Sequence, residues 1–538
     1  MAATVSYAIV PHTHRWPQAD PRFGVRERSG TWAVESPSFC LSVSSTRRSS
    51  SSLWAVGIGI GHKETIRASL TPDSLHPWDK INEKLRFEIV LEATIYSLIA
   101  PGPPIISSYS VSMMAPSTIE VTSSIGSDHL LPTRDPWYTA PAGFETSTPG
   151  TVLRIRTVPG KSTSFRNAAA SYHILYRTTG SRYQPTWAVT SLMIPKKAVV
   201  SSSGYNALLS VQIAYNTPTI DFSPSYRVFQ PPLPNNYGIP TDNERLNMML
   251  GNGWYITIPD FEGPRAAFGA TVQAGHATLD GIRAVLSLTG HADVLLPSSA
   301  DKFKYAMWGY SGGSLASEKA AELQVQYAPE LGPNFVGAAV GGLVSSLSGL
   351  FTATNKTPYA GNIVLVLLGV MNEYPEVDEY LRSRLKTEGP QDAAAFLKGL
   401  EMNSLLAFNA YRNQDIFDYF VGGKADIEAC QVLRKIEKVE WTLGYHGAPE
   451  IPLFVYKAIG DEMTPIADTD AHMEHYKRFG VSVLYERNTA GGHIPEIVNG
   501  QDRAMRWLAG VFAGPYDKVE MGVKIRDVTV DLYKPPTF

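Results

Sequence analysis

A serine set among glycines, Gly309-Tyr310-Ser311-Gly312-Gly313, stands between the apolar run Tyr305–Trp308 and a helix-forming string from Ser314 to Gln324. A chain that passes from strand to helix within so few residues must force one of them into a strained backbone conformation. It must also bring strand and helix so close that neighbouring side chains would collide. The Gly-x-Ser-x-Gly spacing meets both demands, with Gly309, Tyr310 and Gly313 around the exposed hydroxyl of Ser311. A Gly/Ser loop without chemistry is the competing reading of an isolated match, and the flanking strand and helix argue against it.

A serine hydroxyl is a poor nucleophile near neutral pH, so a histidine base and an acid to orient it are expected further along the chain, in the order acid, then histidine. Four histidines follow Ser311: His446, His472, His475 and His493. His493 lies in Asn488-Thr-Ala-Gly-Gly-His, between a strand-like run and the last helix, where an imidazole can reach the top of a sheet. His472 and His475 sit three apart in a helical stretch and read as two exposed helix histidines rather than a metal pair. His446 reads as a loop residue. The acid follows the run Ile451–Ile459: Asp461 is the first choice and Glu462 the runner-up, while Asp468 suits a helix cap better. The oxyanion formed on attack needs two donors. One is the backbone N–H of Gly312, and the candidate for the other is that of Asp260, after Gly253–Pro259. A plain turn role for Asp260 fits the residues equally well.

Runs rich in β-branched and aromatic residues, at 151–158, 171–179, 186–194, 207–216, 253–260, 304–310, 335–342, 451–459 and 481–488, predict strands. Helical periodicity predicts helices at 274–288, 314–329 and 496–514. Late strands alternating with helices imply a mostly parallel central sheet. From 343 to 448 the pattern is almost wholly helical, which predicts an insertion between core strands. The expected organisation is an α/β-hydrolase core at 130–342 and 449–515, the helical insertion at 343–448 and a C-terminal tail at 516–538. Residues 1–129 are rich in Ser and Pro without sustained periodicity. They predict a poorly ordered extension, or a start placed upstream of Met113 or Met114. Gly57-Ile-Gly-Ile-Gly-His lacks the last glycine of a dinucleotide fingerprint, because position 62 is His62.

Composition excludes several classes of partner. Lys plus Arg number 47 and Asp plus Glu 50, so no basic footprint for nucleic acid exists. The apolar run Ile363–Met371 is too short to span a bilayer, and no integral membrane segment is expected. Cys40 and Cys430 stand alone, without metal-binding or disulfide spacing, and no metal or organic cofactor is expected. One N-x-T sequon, Asn355 to Thr357, would accept a glycan only in the secretory pathway.

The stretches from Pro259 to Val285, Gly309 to Ser317, Tyr327 to Gly342 and Ala458 to Pro465 together resemble the fungal secretory lipases, in the branch of the Candida-type lipase A. The likeness covers about Leu131 to Gly514. It implies Ser311 as nucleophile, Asp461 as acid, His493 as base, and Asp260 with Gly312 as oxyanion donors. It further implies an insertion that acts as a lid over an acyl tunnel, and a lipid or other ester substrate met at a lipid–water interface. Phe222 replaces a cysteine common in that family and no cysteine stands near Met402, so the family bridge is expected to be missing. Export is implied by the resemblance, whereas the lack of a clear signal peptide favours an intracellular setting. The expected activity is carboxylic ester hydrolysis, triacylglycerol first, through an acyl-enzyme. The alternatives are an esterase or acyltransferase on a specialised metabolite, and a non-catalytic binding protein of the same fold.

Overall fold

A computed structural model describes residues 119–124, 127–160, 165–231, 242–514 and 521–534, together with five strands between 24 and 69. The chain divides into two units, Met1–Met113 and Met114–Phe538. In the first, β1 (Gly24–Arg28), β2 (Thr31–Ser36), β3 (Phe39–Arg48), β4 (Ser51–Gly59) and β5 (Thr65–Ser69) pair antiparallel in chain order. Of the extension expected over residues 1–129, the start of the chain and residues 70–118 lie outside the described residues.

The second unit is built on one sheet. All nine expected strands are present: β7 (Val152–Thr157), β8 (Ala168–Thr179), β9 (Pro185–Pro195), β10 (Asn206–Gln212), β11 (Tyr255–Pro259), β12 (Phe303–Tyr310), β13 (Phe335–Gly341), β14 (Leu453–Ala458) and β15 (Val483–Asn488). Two more lie beyond the expected boundaries. β6 (Val121–Thr122) pairs with β7, so the core begins before residue 130. β16 (Val523–Val528) pairs in parallel with β15 inside the segment expected to be a tail. Its sequence, Val-Lys-Ile-Arg-Asp-Val, is mostly exposed at the sheet edge, and a short strand with charges on both faces carries little periodic signal.

The sheet order is β16-β15-β14-β13-β12-β10-β11-β9-β8-β7-β6. Parallel pairing runs from β16 to β11, and β9 and β8 continue it antiparallel. Strands buried on both faces must be apolar throughout, and β12 shows why. Tyr305 and Met307 join a cluster with the helices Thr271–Ser287 and Gly312–Tyr327. Ala306, Trp308 and Tyr310 join a second cluster with Asp242–Gly251 and His493–Ala513. The result is a helix–sheet–helix sandwich of the α/β-hydrolase type.

Between β13 and β14 lie seven α-helices and no strand among the described residues. The helix Gly361–Glu373 is not a surface element. The apolar residues from Ile363 to Val370 are each 0 % exposed, which is why that stretch is apolar on every side. Buried carboxylates bind the insertion to the core at two points. Glu373 pairs with Arg265 and accepts from the Ser181 backbone N–H at 3.1 Å. Glu440 accepts from the backbone N–H of Val272 at 2.7 Å, at the start of the helix Thr271–Ser287. The sequon asparagine is also in use: the Asn355 amide donates to Asp415 at 2.9 Å and accepts from the Ile416 backbone N–H at 2.9 Å. No helix among the described residues is long and apolar enough to cross a membrane.

Leu367→Ala, inside the insertion's buried helix, is expected to cost about 2–5 kcal/mol of unfolding free energy. The same change at the half-exposed Leu406 is expected to cost within about 0.5 kcal/mol. Denaturant midpoints of the two variants, measured side by side, check whether this helix is core.

Candidate active site

Ser311 follows β12 directly and immediately precedes the helix Gly312–Tyr327. Its backbone has φ 55° and ψ −124°, a conformation costly for a residue with a side chain. The turn is held by its surroundings. The Ser311 N–H donates to the Gly341 carbonyl at 2.9 Å, and the Ser311 carbonyl accepts from Ser314 N–H at 2.8 Å and from the Ser314 hydroxyl at 2.6 Å. A Cβ at Gly309 would overlap the Gly313 carbonyl, and one at Gly313 would overlap the Gln212 carbonyl of β10. The two glycines are therefore required by strand–helix contact, and the strained residue between them carries the hydroxyl.

The structure brings the three expected side chains together from separate strand ends. His493 Nε2 stands 2.9 Å from Ser311 Oγ, and His493 Nδ1 stands 2.8 Å from Asp461 Oδ2. His493 is the first residue of the helix His493–Ala513. Its position is set through the backbone: its N–H donates to Glu462 Oε2 at 2.9 Å, and its carbonyl accepts from the Tyr310 hydroxyl at 2.6 Å. Glu462, the runner-up for the acid, thus holds the histidine's main chain while Asp461 faces the ring. Asp461 Oδ1 accepts from the N–H groups of Met463 and Thr464 at 3.0 and 2.8 Å, and Oδ2 accepts from Thr464 Oγ1 at 2.9 Å. Burial would raise the Asp461 carboxyl. The charges of His493 and Lys457, together with these donors, overcome that and hold it well below the usual carboxylate range. A carboxylate so placed keeps the imidazole in the tautomer whose Nε2 accepts from serine.

The remaining histidines lie elsewhere. His472 is buried rather than exposed, 3.2 Å from Glu318, and burial lowers it to about 4. His446 Nε2 meets the Val439 carbonyl at 2.9 Å in a loop. Among the described residues no three His, Cys, Asp or Glu side chains group as metal ligands. Asp468 lies in the first turn of the helix Ile466–Phe479, which has no side-chain cap.

Asp260 is a correction. Its backbone N–H, expected to point at the oxyanion, donates to the Val189 carbonyl at 2.8 Å and so continues the β9–β11 ladder. Its carboxyl turns into the core, accepting from the Ser225 N–H at 2.8 Å and the Ser225 hydroxyl at 2.5 Å. Burial raises it to about 7 against those two bonds. The residue that stands against Gly312 is Asn216, in the loop after β10, the strand beside β12. Asn216 has φ 45°, its side-chain oxygen is buried without a hydrogen-bond partner, and its amide lies where any side chain on Gly312 would collide with it. The Gly312 N–H heads a helix, where the first N–H groups have no intrahelical acceptor. The sequence signal for Asn216 was slight: a single Asn followed by Thr and Pro at the end of a predicted strand. Its adjacency to Gly312 depends on strand order.

A cavity of about 390 Å³ opens on Ser311, Gly312, His493 and Asn216. Phe268, Leu315, Val344, Leu347 and Leu350 line it from the elbow helix, the loop before Thr271 and the start of the insertion. Arg227, Gln230, Asn403 and Ser404 line it with polar groups. Phe222, which stands where the resembled family has a cysteine, also lines this cavity, and Cys430 is a buried free thiol.

A family profile described as secretory lipase matches residues 235–518. A probable trichothecene esterase of Stachybotrys chartarum is 43% identical over 75% of this chain and 81% of its own length. A trichothecene C-3 esterase of Fusarium sporotrichioides is 41% identical over 76% of this chain and 91% of its own. The X-ray structure of Candida antarctica lipase A superposes with a TM-score of 0.64 at 26% identity, over 75% of this chain and 90% of that one. With the profile spanning more than half of the chain, two relatives above 40% identity and the α/β-hydrolase sheet around Ser311, this chain is an ester hydrolase of the secretory lipase family.

Proposed function

We propose that this enzyme cleaves carboxylic esters through a Ser311–His493–Asp461 triad. The observation that carries the reading is the unbroken line of contacts, 2.9 Å then 2.8 Å, running from a strained serine to a buried carboxylate. His493 Nε2 takes the Ser311 proton as Oγ attacks the carbonyl carbon. The oxyanion that develops is met by the Gly312 N–H and the Asn216 side-chain amide. Collapse expels the alcohol, which receives the proton from His493. Water, deprotonated by the same imidazole, then releases the acid and frees Ser311. Asn216 serves in the orientation that presents its NH2, since the two ends of an amide are interchangeable by a half-turn.

For the substrate, we favour an acyl ester on a trichothecene-type alcohol over triacylglycerol. Two features support this choice: two relatives above 40% identity are named as a trichothecene C-3 esterase and a probable trichothecene esterase, and Arg227, Gln230, Asn403 and Ser404 line the cavity beside its apolar residues. A tunnel for long acyl chains alone would have little use for such polar groups. Triacylglycerol hydrolysis is the second reading, supported by the likeness to Candida antarctica lipase A. Either substrate suits an exported enzyme, the setting we infer from membership of a secretory family.

A panel running from p-nitrophenyl acetate to palmitate, with tributyrin, triolein and an acetylated trichothecene, separates the readings. The acetylated trichothecene is expected to give the highest kcat/KM, and a preference for triolein would shift the assignment to lipase. Ser311→Ala is expected to lower kcat at least about 10⁴-fold on every ester, and undiminished hydrolysis would overturn the mechanism. Asn216→Ala is expected to lower kcat by about 10²–10³-fold with KM little changed, because its contact forms with the oxyanion. Equal losses in 1/KM would show instead that it binds the ground state.

A further inference from the structure

β14 contains a charge where its neighbours are apolar. Lys457 is 0 % exposed, between Tyr456 and Ala458 at equally buried positions. An ammonium in such a place is tolerated only when paired and fully hydrogen-bonded. Lys457 Nζ uses three partners: Asp461 Oδ2 at 3.0 Å, the Leu343 carbonyl at 2.8 Å and Thr464 Oγ1 at 2.5 Å. The first of these is the oxygen that faces His493 Nδ1. One carboxylate oxygen therefore lies between a fixed cation and the imidazole.

Resting on the triad reading above, we propose that Lys457 is a positioning residue for ester hydrolysis. It clamps Asp461 from behind and, as a buried positive charge, extends activity to lower pH. The sign follows from the charges. Hydrolysis needs neutral His493, and Asp461 favours the imidazolium that ends activity in acid. A cation on the same carboxylate oxygen opposes that imidazolium, so the acid limb of the pH profile lies lower than it would without Lys457.

The other groups around this pair are accounted for. Facing His493 are Ser311 and Tyr310 from β12 and its turn and Glu462 on its backbone N–H, with Glu496 one turn along its own helix. Facing Lys457, besides Asp461 and Thr464, are the charges of Asp468 and Asp470 on the helix Ile466–Phe479. Burial lowers the Lys457 ammonium, and Asp461 leads the groups that oppose this. Asp468 Oδ2 is buried without a hydrogen-bond partner, so its charge acts on Lys457 through space.

The test is the pH dependence of kcat/KM on p-nitrophenyl acetate for wild type, Lys457→Gln, Lys457→Met and Asp468→Asn, with circular dichroism of each. Both Lys457 variants are expected to move the acid limb upward by on the order of one pH unit. Asp468→Asn, which removes a negative charge that offsets Lys457, is expected to move it downward by less. An unmoved limb in folded Lys457→Gln would show that the lysine only fills space. Should neither Lys457 variant fold, a limb unmoved or raised in Asp468→Asn overturns the proposal. Loss of activity in Ser311→Ala on the same ester separates failure of this proposal from failure of the triad reading.

Discussion

The strained backbone of Ser311 is the constraint around which the rest of the molecule is arranged. A φ of 55° on a serine persists only where the surroundings over-determine it. Here they do so from three sides: Gly341 on β13 accepts its N–H, Ser314 ties its carbonyl into the first helical turn, and the Gln212 carbonyl of β10 leaves no room for a side chain on Gly313. Two of these supports come from neighbours of β12 in the sheet, and the third from the helix that follows it. The central position of β12, with apolar clusters on both faces, is what allows strain to be stored at its end.

A second feature is the use of main-chain and charge contacts to place the groups that meet the serine. His493 is located by its own peptide groups as well as by its ring, through Glu462 on one side and Tyr310 on the other. Further along the same helix, Arg503 joins Glu486 and Glu496, and Arg526 of β16 pairs with Glu486. The edge strand is thereby linked, through buried carboxylates, to the helix that begins at His493. A mostly exposed strand of six residues would contribute little by apolar burial, and its charged pairing gives it a defined place.

The helical insertion follows the same logic. Its most apolar helix is packed as core, and Glu373 and Glu440 secure it to the hydrolase core, the first at Ser181 and Arg265 and the second at the first turn of the helix Thr271–Ser287. Residues from the start of the insertion contribute apolar lining to the cavity, while Asn403 and Ser404, further along it, contribute polar lining. The insertion is therefore part of the cavity's wall.

Much of this was legible in the amino-acid sequence because it depends on local pattern. Nine strands, the helical insertion and the chain order of Ser311, Asp461 and His493 follow from periodicity, from glycine spacing and from the place of each residue just past a strand. Those are properties of a dozen residues at a time. What only the tertiary structure decided depends on which strands lie side by side. Asp260 donates its N–H to β9 because β11 pairs with β9, and Asn216 meets Gly312 because β10 lies next to β12. His472 reads in sequence as an exposed helix residue, yet it is buried against Glu318 of another helix, and Lys457 is buried against Asp461, just past the end of its own strand. Sequence thus determined the elements and the three residues of the proposed triad. Folding decided the oxyanion partner and the buried charges, because a hydrogen bond is set by distance in space, whereas a pattern along the chain records only which face a residue occupies.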